Sequence, residues 1–270
     1  MKKTFMSFLL LGAVLLCAAT AADEDSALIG SITLVRGMVE IQHGKDQIWE
    51  KAEIDMPIYP GDKVKTGTRS EAELILDDGS MLRLEEGTLI EVIESKLEGS
   101  GTEGEKKTFF LNLWAGKILN SLKKLFTKES AYKVSTQTAV IGVRGTEFSV
   151  EAEEGITGIA VYDGEVDVTS EIDEKKASGV RLKPNQETSV KKGGVPLAPK
   201  DLSRKARSYR KTILVKFRKR VDKNRSDLEK IRKRREKKIE LMKEKVSDFK
   251  KKTQEKLENQ TGLPSKQTDN

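Results

Sequence analysis

Apolar and polar residues alternate in short runs along the first two-thirds of the chain. Met38-Val39-Glu40-Ile41, Ala72-Glu73-Leu74-Ile75-Leu76, Met81-Leu82-Arg83-Leu84, Phe148-Ser149-Val150-Glu151 and Val166-Asp167-Val168 all carry this pattern. A period of two puts every second side chain on one face of a strand. Leu28 to Val35 leads into Arg36-Gly37 ahead of the first run, and Asp78-Gly79 stands between two others with the composition of a tight hairpin. Short strands with frequent punctuation predict an all-β unit. One island differs. Phe109 to Leu119 is dense in large apolar residues and reads as a buried strand turning at Ala115-Gly116, while Ser121 to Phe126 fits either a strand or one helical turn.

The pattern changes after the Pro196 to Pro199 stretch, where proline withholds backbone donors and so marks a boundary. From Lys200 to Thr261 there is no Gly or Pro; Asp201 or Ser203 can cap a helix start, and Gly262 with Pro264 ends it. Such a helix would reach about 88 Å at 1.5 Å per residue. Its predicted stripe includes Leu202, Ala206, Tyr209, Ile213, Phe217, Val221, Leu228, Ile231, Ile239, Met242, Val246, Phe249 and Leu257, with Asn224, Arg235 and Thr253 in register. The mean spacing of about 3.67 is the eleven-residue rather than the seven-residue repeat, which predicts a straight or slightly right-handed coil.

A weak internal echo links Val35-Arg36-Gly37-Met38-Val39-Glu40-Ile41 with Val161-Tyr162-Asp163-Gly164-Glu165-Val166-Asp167-Val168. Lys63-Val64-Lys65-Thr66 likewise echoes Lys133-Val134-Ser135-Thr136. Both fit stacked, similar β units.

Charge sharpens the division. The chain of 270 residues has a net charge of +7, but the total averages two unlike parts. Residues 23–199 carry 22 basic and 32 acidic groups, whereas 200–260 carry 25 basic and 10 acidic. An acidic β unit is therefore joined to a strongly basic helix.

Lys2 and Lys3, the apolar run from Phe5 to Ala19 and the small residues Ala19-Thr20-Ala21 form the three parts of a secretory signal peptide. Cleavage is expected before Ala22 or Asp23. At about 15 residues the run is shorter than the roughly 20 that span a bilayer. Cys17 is the only cysteine; Leu16 before it does not fit a lipobox, and no intrachain disulfide can form. The predicted organisation is signal peptide 1–21, β unit 22–198, basic amphipathic helix 199–260 and disordered tail 261–270. The location implied is the periplasm or cell surface, with no later membrane span.

One His and one Cys argue against metal-thiolate and His-based nucleophile chemistry. Asp77 with Asp78, and Glu85 with Glu86, are consecutive and point to opposite strand faces, so neither makes an acid/base pair. Regular calcium loops, phosphate loops and dinucleotide fingerprints are missing. No catalytic, metal or cofactor-binding residue is assigned, and no cofactor is expected. His43 before Gly44 reads as an exposed turn residue.

The order of motifs resembles the FecR domain family. The resemblance runs from about Pro57 to Val168 through Gly61-Asp62-Lys63-Val64-Lys65-Thr66-Gly67, Asp78-Gly79-Ser80, Leu113-Trp114-Ala115-Gly116-Lys117-Ile118, Val143-Arg144-Gly145-Thr146-Glu147-Phe148 and Val161-Tyr162-Asp163-Gly164. It implies an extracytoplasmic all-β module, an irregular β-solenoid or sandwich-like stack. Its best-known members regulate a sigma factor across the inner membrane, with a cytoplasmic segment before a transmembrane helix. This chain instead opens on a signal-peptide pattern, so the exported binding or scaffolding module is what carries over. Gly61, Asp62, Thr66, Gly67, Asp78, Gly79, Ser80, Gly116, Arg144, Gly145, Thr146 and Gly164 are the family-motif residues, read as turn and bulge formers rather than ligands.

The function expected is a non-enzymatic envelope module, with envelope signalling as one role. Its helix would pack or oligomerise through the stripe, contact anionic lipid headgroups or an envelope polymer, or dock on the chain's own acidic β unit. An envelope protein is the other partner expected; nucleic acid is disfavoured by export and sparse aromatics. The alternative is a structural or adhesion protein with a coiled-coil stalk and a β head.

Overall fold

A computed structural model describes residues 28–44, 48–98, 106–123, 131–143, 145–171 and 178–261. The signal-peptide segment with Cys17, the tail from Gly262 and Arg144 lie outside the described residues.

Two sheets stack face to face. The front sheet contains β1 (Gly30–Arg36), β4 (Pro57–Ile58), β6 (Glu71–Leu76), β7 (Met81–Leu84), β12 (Glu147–Glu153), β13 (Ile156–Asp163), β16 (Gln186–Lys191) and β17 (Lys200–Asp201). The back sheet contains β2 (Val39–Gln42), β3 (Glu50–Lys51), β5 (Lys63–Thr66), β8 (Leu89–Glu98), β10 (Ala131–Ser135), β11 (Ala139–Val143), β14 (Val166–Ser170) and β15 (Val180–Leu182). β9 (Lys106–Ser121) belongs to both. Its first part pairs with β8 and, in parallel, with β10; from Gly116 onward it pairs with β12, and from Ile118 also with β7. The predicted turn at Ala115-Gly116 is thus the point where one long strand leaves one sheet for the other, with Gly116 at φ +84°.

The inner faces meet in one apolar core that includes Ile32, Leu74, Leu82, Ile118, Phe148 and Val161 from the front and Ile41, Val64, Ile90, Leu113, Ile141 and Val168 from the back. These are the period-two positions of the sequence. Each large side chain buried there contributes about 1.5–3 kcal/mol.

The first echo corresponds to a repeated corner. β1 passes to β2 at Gly37 (φ +74°), and β13 passes to β14 at Gly164 (φ +76°). A Cβ would lie 2.4 Å from Ser70 Oγ at Gly37, and 2.3 Å from Thr146 Cγ2 at Gly164. In both corners a glycine turning between sheets packs on the small hydroxyl residue that precedes a front-sheet strand. No side chain fits in that space, and the left-handed backbone independently favours glycine.

Past the prolines, β17 still pairs with β16, and Ser203 then caps α1 (Arg204–Tyr209) by accepting the Ala206 N–H at 3.2 Å. A π-helical turn follows over Arg210–Leu214, then α2 (Val215–Ser226) and α3 (Leu228–Thr261), interrupted at Asp227. The wider π turn brings Leu214 to full burial, while Ile213 is half-buried. The helix lies on the outer face of the front sheet. Ile75, Met81, Leu119, Ala160 and Tyr162 of the sheet form a second core with Leu202, Ala206, Leu214, Phe217, Val221 and Ile231.

Candidate functional site

The helix is strapped across the front sheet by a line of ion pairs and hydrogen bonds between its basic residues and the acidic β unit. Near its start, Lys205 reaches Glu151 at 2.9 Å, with Lys117 on the other carboxylate oxygen at 3.4 Å. Burial alone would raise the Glu151 pKa, but the hydrogen bond from Lys205 and the charges of Lys117 and Lys205 hold it below the ordinary carboxylate value. Tyr209 donates to Glu85 at 2.7 Å, and Lys117 lies 4.0 Å over its ring. Burial first, and then the Glu85 carboxylate, push the Tyr209 phenol well above its usual range.

Farther along, Arg218 grips Glu147 with Nε at 2.8 and 3.1 Å from the two oxygens. Arg220 holds the fully buried Glu73 in the same way, and Arg83 of β7 binds the same carboxylate at 3.1 Å. Arg225 donates to the carbonyls of Gly79 and Ser121. Arg235, itself buried, reaches Asp77 at 2.6 Å, Arg234 pairs with Asp55, and Lys238 pairs with Glu53. That last hydrogen bond and the Lys238 charge lower the Glu53 pKa. Planar arginine forks suit such bidentate contacts better than ammonium groups do.

With Arg218, Arg220, Arg225 and Arg235 turned toward the β unit, the opposite side of the docked helix presents a row of exposed cations. Arg204 and Arg207 begin it, Lys216 and Lys223 lie in its middle, and Lys233 and Lys237 end it. At 1.5 Å per residue the row is about 50 Å long. The helical residues beyond Lys238 differ: Val246 and Phe249 are 50% and 72% exposed.

The described family-motif residues lie at turns and strand ends, with Gly116 inside β9 where it crosses between sheets. Asp62 is buried and accepts the N–H groups of Gly44 at 3.0 Å and Tyr59 at 2.9 Å, with His43 Nδ1 at 3.0 Å; Gly61 beside it has φ +88°. His43 Nε2 also lies 3.2 Å from Glu50, so this turn residue is half-buried between two carboxylates rather than exposed as expected. Thr66 donates to the Glu85 carbonyl and accepts the Thr88 N–H. A Cβ at Gly67 would meet Met38. Asp78, Gly79 and Ser80 close the β6–β7 hairpin, where Asp78 accepts from the N–H and hydroxyl of Ser80. Gly116, Gly145 and Gly164 all have positive φ, and Thr146 is buried against Gly164. These positions are spread over several corners and do not converge on one pocket. Of the stripe, Phe217, Val221 and Ile231 are buried in the second core, Ile213, Leu228, Ile239 and Met242 are half-buried, and Val246 and Phe249 face solvent.

A cleft of about 200 Å³ lies where the helix begins, lined by Lys117, Ser149, Glu151, Tyr162, Glu187 and Lys205 among others. Both of its carboxylates are engaged, Glu151 by lysines and Glu187 by Ser203 and Lys200. Among the described residues no group of three or more ligands could hold a metal ion, and no helix is long and apolar enough to cross a membrane. On the back sheet, Trp114 and Ile93 are exposed; Trp114 donates to Glu91 at 3.0 Å, and Lys65 lies 4.0 Å over Trp49.

Residues 62–167 match the family model described as FecR protein, so the chain carries a FecR-like segment over most of the two-sheet unit. No curated protein matches the chain. Two crystal structures from Parabacteroides distasonis ATCC 8503, described as candidate anti-sigma factors, are similar in part. One, at 1.65 Å resolution, has 20% identity and a TM-score of 0.40 over 52% of this chain and 59% of that one. The other, at 2.50 Å, has 19% identity and a TM-score of 0.42 over 55% and 63%. The chain thus spans about three-fifths of the length of these relatives.

Proposed function

We propose that the protein is an exported, non-enzymatic FecR-like module that binds another component of the cell envelope and takes part in envelope signalling. The FecR match over 62–167 supports the signalling role. The signal-peptide pattern supports export.

The observation that carries the binding role is the two-sided use of charge on the docked helix. Its inward arginines are matched to acidic groups of the front sheet, and its outward row from Arg204 to Lys237 is left to meet an anionic polymer or headgroup surface. A row of cations draws polyanions over about a Debye length, and the attraction weakens as salt rises. The motif residues act as the scaffold that holds this surface rather than as its ligands.

Fractionation with crosslinking in the native cell tests the reading. The expected result is recovery with the envelope and a crosslink from the outward row that is lost when Lys216, Lys223 and Lys233 are changed to Glu. Retention in the cytoplasm, or the same crosslink with all three changed, overturns it. Burial of Phe217, Val221 and Ile231 against the front sheet favours this reading over a stalk that uses the whole stripe.

A further inference from the structure

The ion pair of Lys238 with Glu53 is the last to the β unit among the described residues, yet α3 continues to Thr261. Of the 23 helical residues after it, Ile239 and Met242 are half-buried and 243–255 are exposed, with the Lys245 charge still acting on Glu53. Their apolar positions do not follow the mean spacing of the whole helix. Ile239, Met242, Val246, Phe249 and Thr253 recur at 3, 4, 3 and 4 residues, the seven-residue repeat of a two-stranded coil.

Charge is sorted around this line. Lys243 and Lys250 flank it on one side, Lys245 and Lys252 on the other, while the opposite face carries Glu240, Glu244, Asp248 and Glu255 with one cation, Lys251. Three occupants compete for the line. A second copy would bring its own lysines against these, because flanking positions meet flanking positions in either orientation of a coil. A flat anionic bilayer suits lysine flanks, but the line continues the face of Ile231 and Arg235 that is turned toward the front sheet. A plane laid along that face would run into the β unit. An elongated partner one helix wide fits beside it.

We propose that residues 239–255 are a docking surface for an amphipathic helix of another protein, whose apolar line is flanked by Asp or Glu. This adds a partner class to the function above and stands whether or not the outward cation row binds an envelope polymer.

The test uses the chain from Ala22 to its end and two labelled three-heptad peptides, with Leu at the apolar positions and either Glu or Lys at the flanks. Vesicles of phosphatidylglycerol and sedimentation of the chain alone cover the other two occupants. The expected result is binding of the Glu-flanked peptide, with the Lys-flanked one weaker by about tenfold or more and added salt narrowing the gap. Val246→Glu with Phe249→Glu should abolish binding without moving the thermal transition of the β unit. Changing Lys243, Lys245, Lys250 and Lys252 to Glu should reverse the peptide preference. Equal binding of both peptides, binding to vesicles but to neither peptide, or self-association of the chain at micromolar concentration that survives in the absence of peptide overturns the proposal.

Discussion

Arg220 on the strapped helix holds the carboxylate of Glu73, 147 residues earlier in the chain, with Nε 2.8 and 2.9 Å from its two oxygens. Glu73 is fully buried and also binds Arg83, whereas the Arg220 side chain is 32% exposed. Removing the shared carboxylate leaves two cations without it; removing Arg220 leaves the carboxylate with Arg83. Loss of one member of a buried pair costs about 3–5 kcal/mol, and a partly exposed member costs less. Glu73→Ala should therefore lower stability by about 3 kcal/mol or more, and Arg220→Ala by about 1–2 kcal/mol. Urea unfolding of the two variants checks the order; an equal or inverted pair of midpoints would remove the shared-carboxylate account.

The corner glycines separate steric from conformational cost. Gly164 and Gly155 have similar φ, +76° and +70°, but a Cβ at Gly164 would lie 2.3 Å from Thr146 Cγ2 and one at Gly155 would meet nothing within 4 Å. Gly155→Ala should cost about 1–2 kcal/mol from the left-handed backbone alone. Gly164→Ala should cost distinctly more, and Thr146→Ser, which deletes the opposing methyl, should recover part of the difference. The comparison is made by thermal unfolding of the two single variants and the double variant. Identical losses at the two glycines would mean that the close approach has no consequence.

The β character was legible because alternating runs such as Val39-Glu40-Ile41 and Val166-Asp167-Val168 bury one face each. The docking face was also written in the chain. The runs Ala72 to Leu76 and Met81 to Leu84, read as alternating, depart from strict alternation at Leu74-Ile75-Leu76 and Met81-Leu82, as Ile118-Leu119 does in β9. Ile75, Met81 and Leu119 face the helix while Leu74, Leu82 and Ile118 face the other sheet. Consecutive apolar residues in a strand are a sign of burial on both faces. The crossing of β9 between sheets rests on pairings distant in sequence, which local pattern cannot specify. The π turn that buries Leu214 was hidden for a different reason: a period averaged over 55 residues absorbs one widened turn, and it likewise absorbed the seven-residue spacing after Lys238.

Acid should loosen the first turn of the strap. The Glu151 pKa is depressed in the folded chain, so the stability it adds is present above the ordinary value near 4.5 and is lost as pH falls through the lower folded value. Amide hydrogen exchange at Ala206 to Tyr209 should therefore accelerate below about pH 4 relative to the core strands. Glu151→Gln should show the faster exchange already at neutral pH, with a flatter pH profile. An unchanged profile in that variant would assign the acid response to another carboxylate.

Two truncations test what the helix does for the fold. A chain ending at Lys238 retains Leu214, Phe217, Val221 and Ile231 on the front sheet together with the Arg235–Asp77 and Lys238–Glu53 pairs. Its thermal midpoint should stay within about 2 °C of the full chain, because the removed residues belong to neither core. A chain ending at Pro199 uncovers Ile75, Met81, Leu119 and Tyr162 in one patch and removes the Arg220 partner of Glu73. Each large helical side chain lost from that second core withdraws about 1.5–3 kcal/mol, and a contiguous apolar patch promotes association. The shorter chain should unfold at lower temperature and form aggregates on sizing, while the longer truncation stays soluble. Should the chain ending at Pro199 instead keep its stability and solubility, the helix would be a separable arm, and the ion-pair line along the front sheet would have to be read as a reversible contact.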